Sequence, residues 1–162
     1  MKTHHLFFLS LFVITACQKP KENTSQLQFT IDAFDVAQDQ MEVTFEVTNP
    51  SEDVWQGGQW TLHWNQFSGV LQQESLPEGI HIVPTKNSQY CQLHFGSSYS
   101  LNPGETLKFS ALQTGIMPRL VMGPIGFFVH NASQDKLYDL ESKIHWEKAR
   151  GVSDLNLPTA AD

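Results

Sequence analysis

Basic residues are scarce in this chain. Ten lysines and arginines stand against seventeen aspartates and glutamates in 162 residues, and no Lys/Arg cluster occurs along it. Nucleic-acid binding rests on clustered cations that displace condensed counterions, so nucleic acid is excluded as a partner; an uncharged ligand makes no such demand. Cysteine is scarcer still, at two, Cys17 and Cys91. No apolar run reaches the roughly 20 residues that a membrane-spanning helix needs. Sustained helical periodicity with caps is missing too. That removes the helical stretches of about 10–15 residues that an α/β chain carries between its strands. Signatures of catalytic and nucleotide chemistry are also lacking: no Gly-x-Ser-x-Gly turn for a serine nucleophile, no Walker-type loop and no dinucleotide fingerprint. Beyond the leader lie His63, His81, His94, His130 and His145, none at His-x-His or His-x-x-x-His spacing. Each falls in a separate apparent strand, so only tertiary convergence would join them, and neither a metal nor a cofactor is expected.

What is present begins with a targeting signal. Met1 to His5 is weakly basic and Leu6 to Ile14 almost wholly apolar, which fits a secretory n-region and h-region. Ile14-Thr15-Ala16-Cys17 resembles the bacterial lipobox, cut before the cysteine, which is then acylated. Durable anchoring needs two or more lipid signals, so several acyl chains on Cys17 predict a chain tethered in the cell envelope, at the outer membrane or its periplasmic face. Gln18 to Gln26 is polar and contains Pro20; such a tract cannot bury enough apolar surface to offset its ordering entropy. Residues 1–16 are thus expected to be the signal and 17–26 a flexible tether. With Cys17 lipidated, Cys91 has no partner for an internal disulfide. Its place between Tyr90 and Leu93 in an apparent strand predicts a buried, inert thiol. Cleavage removes Lys2 alone among the Lys, Arg, Asp and Glu residues, which leaves the mature chain more acidic.

From Leu27 onward the dominant period is two. Met41, Val43, Phe45 and Val47 alternate with Glu42, Thr44, Glu46 and Thr48, as a half-buried strand requires. Leu27, Phe29, Ile31 and Ala33 form a similar series, and so do Trp60, Leu62 and Trp64. Gly79 to Val83, Tyr90 to Phe95, Thr106 to Gln113, Ile125 to Val129 and Lys143 to Trp146 read as further strands. Turn signals separate them: Asn49-Pro50-Ser51, Gly57-Gly58, Pro77-Glu78-Gly79, Asn102-Pro103-Gly104 and Gly123-Pro124. Short strands broken by such turns predict an all-β fold, a single antiparallel sandwich over residues 27–149. The polar tail 150–162 reads as a linker or frayed end.

Four motifs in order carry a family resemblance: Trp60-Thr61-Leu62-His63-Trp64, Gly79 to Thr85, Leu101-Asn102-Pro103-Gly104-Glu105-Thr106-Leu107 and Pro124 to Val129. Together they resemble the N-terminal carbohydrate-binding domain of bacterial chitobiases and β-N-acetylhexosaminidases. The resemblance implies a β-sandwich of the carbohydrate-binding-module type and a role beside N-acetylglucosaminide breakdown. In those enzymes the domain precedes a catalytic barrel with an adjacent Asp-Glu pair, where the substrate's acetamido group is the nucleophile. No Asp-Glu dipeptide occurs in this chain, which ends at Asp162 where such a barrel would begin. The expectation is a non-catalytic glycan-binding module, belonging to or split from a hexosaminidase. The alternatives are a docking domain of a truncated hexosaminidase that binds no sugar, and an unrelated periplasmic β-sandwich lipoprotein.

The resemblance assigns no binding residues, so candidates come from chemistry. Sugar rings stack apolar C–H faces on aromatic rings while polar groups read the hydroxyls. Trp60 and Trp64 share the apolar face of Leu62 and are expected in the core. Trp55, before Gly57-Gly58, and Trp146, near the domain end, are the candidates for an exposed sugar platform. His63, on the face opposite Trp60, is the candidate for an added polar contact.

Overall fold

The computed structural model describes residues 26–35, 39–87, 89–115 and 123–146, with backbone alone for 32–35 and Trp146. The signal, Cys17, the tether up to residue 25 and the tail from 150 lie outside the described residues. Among the described residues ten strands follow in order: β1 Leu27–Asp35, β2 Gln40–Thr48, β3 Trp60–Asn65, β4 Val70–Leu71, β5 Ile80–Ile82, β6 Tyr90–Phe95, β7 Thr106–Thr114, β8 Ile125–Asn131, β9 Lys136–Asp139 and β10 Ser142–Trp146. They form two five-stranded sheets, β10-β1-β2-β7-β4 and β5-β6-β3-β8-β9, in an all-β sandwich. The pairings are antiparallel, as expected, except that β1 and β10 run parallel. β1 continues into the sheet through β2 on its other side, so its partner on the open side is supplied by the far end of the chain. Gln26 already belongs to this edge rather than to the tether, since its N–H donates to Glu141 O at 2.9 Å and its side chain accepts from Glu141 N at 2.9 Å.

Alternation explains the two layers. Met41, Val43, Phe45 and Val47 of β2 are buried between the sheets, while Glu42 is exposed. β3 buries Trp60, Leu62 and Trp64, as their spacing predicts. The core is aromatic: Trp60 stacks on Phe95 with centroids 3.8 Å apart, Phe45 stacks on Phe109 at 4.8 Å, and Trp64 packs on Phe127 at 5.6 Å. Each indole N–H of that tryptophan pair also finds an acceptor, Trp60 in Tyr99 O and Trp64 in Gln66 Oε1. Asn102-Pro103-Gly104 makes the tight turn its residues demand, with Gly104 at φ +77° in the left-handed region glycine tolerates and Glu105 N donating to Asn102 O.

A short 3-10 turn, Gln73–Ser75, crosses from β4 to β5. The Gln73 amide donates to Ile80 O at 3.0 Å and accepts from Ile82 N at 2.7 Å. It occupies the free edge of β5 as a neighbouring strand would, and natural sheets need such cover on exposed edges. β5 is short. Val83 still donates to Gln92 O, but Pro84 has no N–H for a ladder bond and the pairing ends there. The Thr85 hydroxyl still donates to Tyr90 O at 2.8 Å, so residues 83–85 run on beside the start of β6.

Candidate glycan-binding face

The outward positions of the second sheet are set by register. Thr61 stands opposite His94 on one side and His130 on the other; His63 stands opposite Gln92 and Phe128; Asn65 pairs with Tyr90. His81 is in turn opposite His94, and Phe128 opposite Asp139. Residues directly opposed in a sheet share a face, so these side chains form rows across one outer face of the sandwich. His63, His81, His94 and His130 share this face through the sheet rather than through sequence spacing, whereas His145 lies on β10 of the other sheet. Among the described residues no group of three His, Cys, Asp or Glu is placed to hold a metal ion.

His63 is the centre of this face. Its ring lies parallel to Phe128, with centroids 4.6 Å apart and planes 3° apart, and 5.7 Å from the Tyr90 ring. Nδ1 lies 2.6 Å from the Tyr90 hydroxyl and Nε2 2.6 Å from Thr61 Oγ1. A neutral imidazole has one donor and one acceptor, and both are committed. Covered on both sides, His63 is only 6% exposed. Burial, aided by the nearby His130, pushes its pKa down to about 4, so the ring is neutral near pH 7. Burial also raises the Tyr90 hydroxyl. The result is an uncharged patch of three rings, Tyr90, His63 and Phe128, bordered by Asn65, Gln92, His94 and His130. The outer face of the other sheet differs. Its hydroxyls and charges pair with each other, Thr44 with Ser110 at 2.7 Å, Thr48 with Thr106 at 2.8 Å and Lys108 with Glu46 at 2.6 Å. Outward positions of β2 and β7 carry no Phe, Tyr or Trp.

The candidate residues fare unequally. Trp55 is no exposed platform: it is 0% exposed, packed on Trp60 at 5.4 Å and Tyr138 at 5.7 Å. A backbone bridge to Leu101 holds it there. The loop ahead of it is also fastened, because Asp53 Oδ2 accepts from Lys136 Nζ at 2.6 Å and from the Tyr138 hydroxyl at 2.8 Å. Those two bonds hold the Asp53 carboxyl below its ordinary pKa, the Lys136 bond foremost. Trp146 ends β10, and its side chain is outside the described residues. His63 does lie opposite Trp60, yet its nitrogens serve Thr61 and Tyr90, so it positions the patch instead of offering a free polar contact. Tyr90 and Phe128 are not among the candidates the sequence offers, which are Trp55, Trp146 and His63. A signal existed in Phe128, an aromatic at the outward phase between the inward Phe127 and Val129.

On the core-facing side of β6, next to residues 82–85, a recess of about 140 Å³ opens between the two sheets. Leu71, Ile82, Cys91 and Leu93 contribute to its lining, and Tyr90 and Gln92 belong to both recess and face. Cys91 is half-buried rather than fully buried. Burial pushes its thiol up to about 11, so it stays protonated and a poor nucleophile near pH 7.

The architecture is a β-sandwich of two five-stranded sheets. No protein-family model and no curated protein matches the chain. Among solved structures it is similar to the GH20 exo-β-N-acetylglucosaminidase of Vibrio harveyi, both as an inactive mutant and in complex with N-acetylglucosamine. In each case the TM-score is 0.55 and the identity 11%, over 74% of this chain and 17% of that one. The solution structure of a chitin-binding domain from Streptomyces coelicolor gives a TM-score of 0.41 and 13% identity, over 67% of this chain and 94% of that domain. At these identities the likeness is one of fold. This chain spans about one sixth of the Vibrio enzyme.

Proposed function

We propose that this chain is a non-catalytic carbohydrate-binding module that holds N-acetylglucosamine-containing glycans on the outer face of the β5-β6-β3-β8-β9 sheet. The observation that carries the reading is the uncharged trio Tyr90, His63 and Phe128, fixed by stacking and two 2.6 Å hydrogen bonds and ringed by side chains able to bond hydroxyls. A pyranose laid on such a patch covers apolar C–H groups while its hydroxyls meet Asn65, Gln92, His94 and His130. The fold shared with part of an exo-β-N-acetylglucosaminidase supports the choice of sugar. In this reading the module works beside a hexosaminidase catalytic domain, and acyl chains on Cys17 hold it in the bacterial envelope, at the outer membrane or its periplasmic face.

A second reading makes the domain a structural partner that packs on a hexosaminidase barrel and binds no sugar. Phe67 and Val70, 57% and 67% exposed on the β3–β4 side, favour it, because such side chains are apt to be covered by a neighbour. Amide chemical-shift mapping on the chain carrying Cys17→Ser, which removes the acylation site, separates the two. With N-acetylglucosamine oligomers added, the first reading requires shifts at Thr61, His63, Tyr90, Gln92 and Phe128, with β2 and β7 silent. A spectrum unmoved at saturating sugar sinks it in favour of the second.

A further inference from the structure

The end of the sandwich where β3 hands over to β4 is apolar. Phe67, Val70 and Ile125 are all exposed there, Ile125 through its pairing with Asn65, the last residue of β3. The inter-sheet recess opens at the same end. Its exposed lining residues are Val70 on β4 and Pro84 beyond β5, so its mouth lies between the edges of the two sheets, and residues 83–85 separate it from the ring patch. No charged residue lines it, and Trp64, Leu71, Ile82 and Leu93 surround the Cys91 thiol. At about 140 Å³ it is close in size to the engineered cavity of about 150 Å³ that holds one benzene. That is room for one branched apolar side chain.

Chain direction says what is brought to that mouth. β10 runs parallel to β1 with Trp146 opposite Ile31, and the register continues through Val43 to Ala111. Leu71 of β4 stands opposite Gln113, two residues further along the same axis. The chain after Trp146 therefore leaves the sheet heading for the apolar end, on the edge opposite β4. Four strand spacings of about 4.8 Å, or about 20 Å in all, separate the two edges. The sequence then supplies Leu155-Asn156-Leu157, whose leucines fall on one side of an extended chain. Leu155 comes nine residues after Trp146, a reach of about 30 Å. The segment before β1 is a poor rival: it enters at the opposite end, where Leu27 pairs with Val47, and Gln18 to Gln26 holds no Val, Leu, Ile, Met or aromatic residue. We infer that the C-terminal segment crosses the apolar end, seats one leucine of the Leu155–Leu157 pair in the recess and lays the other on Phe67 and Val70. The inference stands apart from the glycan reading.

Cys91 reports on the recess it lines, and in the Cys17→Ser chain it is the single cysteine left. Its rate of alkylation by iodoacetamide at fixed pH is measured in that chain, in Leu155→Asp/Leu157→Asp and in Leu155→Met/Leu157→Met. Amide spectra and thermal unfolding of each show that it is folded. Burial of one leucine side chain favours the seated form by about tenfold, so the Asp variant should react about tenfold faster, with amide shifts at Gly69, Leu71 and Ile82. The Met variant keeps the apolar volume and should react as slowly as the parent. An unchanged rate with unmoved amides in the Asp variant overturns the inference, and so does a Met variant that reacts as fast as the Asp variant. Protection in the parent that weakens on dilution also overturns it, since the seat would then belong to the tail of a second copy.

Discussion

His63 offers the sharpest check on the energetics of this face. Its pKa falls from an ordinary 6.5 to about 4 in the folded chain, so the folded state holds the ring neutral where the unfolded chain protonates it. Between those two values the unfolded state binds more protons, and stability rises with pH. The His63 contribution is therefore fully present above pH 6.5, erodes as pH falls, and is gone below about 4. One proton linked across that window is worth up to about 1.4 kcal/mol per pH unit, or about 3 kcal/mol in all. Replacing His63 by Gln keeps a polar side chain without a titrating ring. That variant is less stable at pH 7, because the Phe128 stack and the bonds to Thr61 and Tyr90 are lost. Urea unfolding of parent and variant at pH 7, 6, 5 and 4.5 gives the comparison. Carboxylates such as Asp53 titrate alike in both, so the difference isolates His63. The gap between the two stabilities should shrink by roughly 2 kcal/mol or more from pH 7 to 4.5. Parallel curves would refute the account of a buried neutral imidazole.

Three further outcomes follow from the packing. Trp55→Ala should cost about 3–5 kcal/mol of stability, read by urea unfolding, and leave the glycan affinity of the folded fraction unchanged, because Trp55 lies at 0% exposure under Trp60 and Tyr138. Gln73→Ala should uncover the β5 edge that the amide now occupies. Its signature is concentration-dependent association in sedimentation velocity, and a variant that stays monomeric at high concentration would deny the amide that role. Gly104→Ala should lower stability by about 1 kcal/mol from backbone strain alone, since φ is +77° and nothing lies within 4 Å of an added Cβ.

Local physics made much of the fold readable in advance. β2 and β3 announce themselves because one face meets the core and the other meets water, so alternation survives in the residues. The Pro103-Gly104 turn is equally local. The two short edge strands were not legible: β4 has two residues and β9 four, too few for a period to show. Parallel pairing of β1 with β10 joins Leu27 to Ser142, and nothing near either residue encodes it. Trp55 misled for a related reason. The glycines after it signal a turn, and turns favour exposure, but the bridge to Leu101 and the Asp53 clamp to β9 are long-range contacts that fold the indole inward. The candidate face was hidden in the same way. His63 was visible as a polar residue opposite Trp60, yet its company with Tyr90 and Phe128 depends on the registers of β3 with β6 and β8. Where a feature arises from pairing across tens of residues, composition and period carry no trace of it.

The central claim is that the Tyr90–His63–Phe128 patch binds glycan. Calorimetric titration of the Cys17→Ser chain with short N-acetylglucosamine oligomers, beside Tyr90→Ala and Phe128→Ala, tests it most directly. The account predicts saturable binding that weakens roughly fivefold in each variant, the effect of losing about 1 kcal/mol of ring contact, with both variants still folded. Absence of heat at high ligand concentration, or an affinity untouched by either substitution, would contradict it.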